Sequence, residues 1–112
     1  MNEQMKKQCE QIAMHYGEHL QLDIMLEEAA ELIQAISNMQ RKRQRYSIVY
    51  ARLHYIEKLA DVSIMAEQLV TLLNATDHET FKGFVEYKLD RQIDRMKSEE
   101  ESERIQRLIH ED

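Results

Sequence analysis

The sequence has no proline, two glycines and one cysteine among 112 residues. So few residues of these kinds are what long helices joined by short connections carry. Gly17 and Gly83 stand far apart. Walker and dinucleotide loops need clustered glycines so that backbone N–H groups can approach phosphate, and this chain has no such cluster. Cys9 alone makes neither an intrachain disulfide nor a thiolate zinc site, and it suits a reducing, cytoplasmic setting. No apolar run approaches the roughly 18 residues of a membrane helix, and no signal-peptide apolar region is present, so no membrane association is expected. The net charge of −6 opposes broad affinity for nucleic acid, and no sequence-specific nucleic-acid binding is expected. The one basic cluster, Arg41-Lys42-Arg43-Gln44-Arg45, reads as a solvated helix end whose cations complement the C-terminal dipole.

What remains is rich in Glu, Lys, Gln, Leu, Met and Ala, the composition of long helices joined by short connections. The length fits one compact domain over residues 1–112. With 32% charged residues, the apolar side chains have to be gathered into stripes. The expected class is therefore all-α. Met5, Cys9, Ile12, Ala13 and Tyr16 recur at helical spacing and predict a first helix over roughly residues 2–15, ending near Gly17. A second helix runs from about Leu20 to the basic cluster. A third runs from Ser47, its expected N-cap, to about Asn74. A fourth begins near Asp77 and carries Phe81, Val85, Leu89, Ile93 and Met96. Beyond Lys97 the run Ser98-Glu99-Glu100-Glu101-Ser102-Glu103 has too little apolar content to bury. Residues 98–112 thus read as a charged tail that regains a helical turn or two around Ile105, Leu108 and Ile109.

The chemistry concentrates in Leu26-Glu27-Glu28-Ala29-Ala30-Glu31-Leu32-Ile33. Successive helix residues turn by about 100°, which places Ile24, Glu28, Glu31, Ala35 and Met39 along one line. Leu22, Met25, Leu26, Ala29, Ile33 and Ile36 form a second, apolar stripe. The third helix repeats the pattern, with Glu57 and Asp61 one turn apart in Ile56-Glu57-Lys58-Leu59-Ala60-Asp61-Val62. Were the two helices antiparallel, Glu28 and Glu31 would face Glu57 and Asp61. Carboxylates gathered in one cleft repel one another. They must be protonated, paired with cations, or bound to a hard cation such as Mg²⁺ or Mn²⁺. Acidic residues at these spacings also occur on solvated helix faces, so spacing alone leaves both readings open.

Glu27-Glu28-Ala29-Ala30-Glu31-Leu32 followed by Glu57-Lys58-Leu59-Ala60-Asp61-Val62 resembles the EExxE…ExxD signature of the MazG-like all-α NTP pyrophosphohydrolases. His15-Tyr16-Gly17, Leu32-Ile33-Gln34-Ala35, the stretch Ala60 to Leu69 and Lys88-Leu89-Asp90-Arg91-Gln92-Ile93 resemble the small bacterial and phage members. The likeness covers roughly residues 10–97. It implies a four-helix-bundle-like MazG-type fold in an obligate homo-oligomer, a dimer or tetramer. It also implies Mg²⁺-dependent hydrolysis of a nucleoside triphosphate to pyrophosphate and NMP or dNMP, in cleansing of the nucleotide pool. By position, Glu28, Glu31 and Asp61 match metal ligands, Glu28 together with Glu27 matches catalytic acids, and Glu27 orients a water or holds a second ion.

One departure stands out. The Glu of ExxD, three residues before Asp61, is Lys58. Either Glu57 reaches the metal instead, from one turn before Asp61, or the Lys58 ammonium enters the cluster and marks an impaired member that binds nucleotide or a protein partner without hydrolysis. On the fourth helix Lys88, Arg91 and Arg95 form a basic stripe. It is read either as a triphosphate contact or as a solvated face pairing with Asp90, Asp94 and Glu99. Gln21, at the start of the second helix, is a candidate base contact. His15 and His19 read as surface histidines and His54 as a half-buried one. Several long helices, each with more than one apolar stripe, bury more when paired with another copy, which again favours an oligomer.

Overall fold

The computed structural model describes residues 1–41 and 47–110, so Lys42 to Arg45 of the basic cluster lie outside the described residues. The described chain is helical, with α1 (Glu3–Gln40), α2 (Ile48–Thr71) and α3 (Ala75–His110). Asn2 caps α1, its side chain accepting from the Met5 N–H at 2.8 Å. Ser47 caps α2 as its sequence position predicts, accepting from the Tyr50 N–H at 3.1 Å. Asn74 does the same for α3, accepting from the Asp77 N–H at 2.8 Å. None of the described helices is long and apolar enough to cross a membrane.

The break expected at Gly17 is present, but it is a kink rather than a loop. Gly17 adopts φ 82 and ψ 167 inside α1, and the helix resumes at once. This backbone region is nearly confined to glycine, so one residue without a Cβ redirects the chain where a turn was expected. The charged tail departs further from expectation. Residues 98–110 continue α3 without interruption. Exposure does not unwind a segment of Glu, Arg and Gln, all good helix formers. Arg104 also grips Glu101 one turn back with two N–H groups, at 2.7 and 3.2 Å, and Arg107 and His110 complement the helix C-terminus.

Contacts group the chain into two compact units, Met1–Leu73 and the chain from Asn74 onward. In the first unit α1 packs on α2. Met5, Ile12 and Tyr16 share a hollow with Ile64 and Gln68, whereas Glu31 meets Lys58. Early α1 thus meets late α2, and the two helices run antiparallel. Their core is made of small residues: Cys9, Ala13, Ala35 and Ala51 are buried together with Met65. Alanines at the contact bring the backbones close, and little apolar volume is enclosed. In the second unit no residue of α3 is buried.

Candidate metal centre

Of the line predicted along α1, Ala35 is buried, Ile24, Glu28 and Met39 are half-buried, and Glu31 is at the rim. From α2, Asp61 comes up opposite. One carboxylate oxygen from each of Glu28, Glu31 and Asp61 lies within 4.8 Å of the others. The helix spacing thus brings to one point three of the four carboxylates expected there, from two antiparallel helices.

The electrostatics at that point are strained on one side and relieved on the other. The Oε2 atom of Glu28 is buried and has no hydrogen-bond partner among the described residues. Desolvation pushes the Glu28 carboxyl above its ordinary value, and the neighbouring charges of Asp61 and Glu31 push it further. Lys58 opposes them. Glu28 is thus the member of the cluster that tends to hold a proton.

Relief comes from Lys58. Its side chain is only 17% exposed, and its ammonium lies 2.8 Å from a Glu31 oxygen, 3.6 Å from Asp61 and 3.8 Å from Glu57. The hydrogen bond to Glu31 and the three surrounding carboxylates hold the Lys58 pKa well above that of an ordinary lysine, against partial desolvation. Of the two outcomes weighed for position 58, the ammonium turned into the cluster is the one seen. Glu57 is not among the converging ligands. Its side chain is largely exposed and touches the cluster only through Lys58. Glu27 is exposed too, away from the convergence.

The other residues singled out from sequence fall elsewhere. Gln21 is fully buried, and its Oε1 has no partner among the described residues, so a base contact from this side chain would require it to leave the helix packing. Lys88, Arg91 and Arg95 are exposed on α3 in the second unit, and none of them pairs with Asp90, Asp94 or Glu99. His19 is exposed, 3.9 Å from Asp23, His15 stands edge-on to Tyr16, and half-buried His54 stacks on Tyr50 at 6.0 Å. Sequence reasoning missed the hollow of about 670 Å³ lined by Met5, Cys9, Ile12, Tyr16, Ile64 and Gln68. The signal was the first apolar stripe itself. Its Cys9 and Ala13 fill the contact with α2, while Met5, Ile12 and Tyr16 stay uncovered. Comparison with known protein families, with functionally characterised proteins and with solved structures finds no match to this chain.

Proposed function

We propose that this chain is a MazG-like helical module impaired in hydrolysis, which binds nucleotide or a protein partner through a surface where Lys58 takes the place of a metal ion. The observation carrying this reading is the Lys58 ammonium, 2.8 Å from Glu31 and within 4 Å of Asp61 and Glu57. A cation covalently tethered at the centre of the cluster neutralises charge that a divalent ion would otherwise neutralise, and it competes directly for the same oxygens.

A second reading is Mg²⁺-dependent hydrolysis of nucleoside triphosphates to pyrophosphate and NMP or dNMP. Glu28 favours it. The donor set is oxygen-only and convergent, as Mg²⁺ or Mn²⁺ prefers, and a buried carboxylate oxygen lacks a partner. Glu28, Glu31 and Asp61 would hold the ion once Lys58 swung out on its flexible stem. Bound there, Mg²⁺ supplies phosphate charge neutralisation and a more acidic water.

Both readings include self-association. Within the first unit Leu22, Leu26 and Ile33, on the second stripe of α1, remain exposed, Leu26 to 72% and Ile33 to 68%. Side chains of this size on one helix face are what a second copy covers. Pyrophosphate release from a panel of standard and damaged NTPs, with Mg²⁺, separates the two readings. The impaired module releases none as wild type and gains activity in Lys58→Glu; turnover by wild type at the rate of Lys58→Glu would overturn it.

A further inference from the structure

We infer that Met1, Met5 and Cys9 form a sulfur-only site for a soft monovalent cation, Cu(I), on the wall of the hollow that α1 shares with Ile64 and Gln68 of α2. The site has no residue in common with the acidic cluster and does not depend on the function proposed for it.

The three residues stand four apart in the sequence, and side chains at i and i+4 are neighbours on a helix surface. Met1 lies just ahead of the Asn2 cap, yet its thioether reaches the second turn of α1. The Cys9 Sγ and the Met1 Sδ are 3.9 Å apart. Metal–sulfur bonds of about 2.3 Å hold the sulfurs of a trigonal set about 4 Å from one another, so this pair already has the spacing of two ligands on one ion. Met5, one turn before Cys9, lines the same hollow as both. Its three rotatable side-chain bonds bring a thioether to the third position without any movement of the backbone.

The donor chemistry selects the ion. Cys9 is only 4% exposed, and the Met1 sulfur is the side-chain partner its thiol has among the described residues. A thioether is a weak acceptor, so helix packing leaves this buried thiol poorly satisfied. Thiolate and thioether ligands suit Cu(I), whereas Mg²⁺ and Mn²⁺ take oxygen. A structural zinc site needs four ligands of its own, which one cysteine cannot anchor; Cu(I) is content with two or three.

Charge points the same way. Binding releases the thiol proton, so Cu(I) with one thiolate and two thioethers carries no net charge. A neutral centre can rest against Ile12, Tyr16 and Ile64 without the penalty of burying an ion. Among the described residues no carboxylate lines this hollow, which leaves a divalent cation nothing to balance it. Met1 and Met5 are exposed at the mouth and give an ion a route from solvent to Cys9.

The test uses the full-length protein and Cu(I) kept reduced by ascorbate, in competition with a coloured Cu(I) chelator. One ion should bind per chain. Loss of a group one shell out from a metal already costs about 10- to 100-fold in affinity, so Cys9→Ser should weaken binding by about a hundredfold or more and Met5→Leu by about tenfold. Met5 is exposed and Leu is close to it in volume, so Met5→Leu keeps its helicity by circular dichroism even if Cys9→Ser unfolds. X-ray absorption at the copper edge should show sulfur neighbours. With methionine ¹³C-methyl labels, the Met1 and Met5 resonances should move on adding Cu(I) and stay in place on adding Zn²⁺. Equal Cu(I) affinity in wild type, Cys9→Ser and Met5→Leu, oxygen or nitrogen in place of sulfur at the copper, or unmoved Met1 and Met5 resonances would each overturn the proposal. None of these results bears on Lys58 or the acidic cluster, whose own test is the release of pyrophosphate.

Discussion

Replacing Lys58 offers the sharpest probe of the cluster. The Lys58 ammonium stands among Glu31, Asp61 and Glu57, so an ion held by the convergent oxygens would lie near the end of the position-58 side chain. At a separation of about 6 Å and the screening of water, each unit of charge removed there changes the affinity for a divalent cation by about tenfold. Lys58→Met removes one unit and should tighten Mg²⁺ binding about tenfold; Lys58→Glu removes two and should tighten it about a hundredfold. Isothermal calorimetry with Mg²⁺ or Mn²⁺ alone measures both steps. The same series should be visible as stabilisation: Lys58→Glu without metal melts below wild type, because a fourth acid joins the group, and it gains more on adding Mg²⁺. Equal Mg²⁺ affinity in wild type, Lys58→Met and Lys58→Glu would refute the idea that Lys58 and a divalent ion contend for one place.

Three further outcomes follow from individual residues. The folded state holds the Glu28 proton more tightly than the unfolded chain, whose value is near 4.5, so its contribution to stability is present below that pH and is lost as pH rises above it. Metal-free Glu28→Gln should therefore melt above wild type at pH 8 and level with it near pH 4; a constant difference across that range would show that Glu28 keeps its ordinary pKa. Gly17→Ala puts a Cβ into open space, since nothing lies within 4 Å, and its cost is backbone strain alone, about 2 kcal/mol, a fall in Tm of about 10 °C. An unchanged Tm would mean the kink relaxes into regular helix. Leu26→Lys with Ile33→Glu should dissociate an assembly formed through the second stripe of α1 while leaving helicity intact; unchanged sedimentation would free that face of any role in association.

Of the helix starts, Ser47 was legible as the cap of α2 because its side chain satisfies an orphan N–H; Asn74 caps α3 in the same way, although the sequence reading ended the preceding helix there and began the next near Asp77. Convergence of Glu28, Glu31 and Asp61 was legible as well, since helical spacing fixes which Cβ atoms share a face. The direction of Lys58 was not. A four-carbon stem reaches solvent or cluster from the same backbone, and the choice rests on the summed charge of residues contributed by two helices. Residues 98–110 were misread because burial was used as the criterion for helix, whereas propensity and the Arg104–Glu101 pair maintain a helix that buries nothing. Such a helix is marginal in isolation. The core between α1 and α2, built largely on Cys9, Ala13, Ala35 and Ala51, is equally modest. Large apolar side chains stay uncovered in each unit, Leu26 and Ile33 on α1 and Phe84 and Leu89 on α3 among them, and in the self-association proposed above these are the side chains whose burial would add stability.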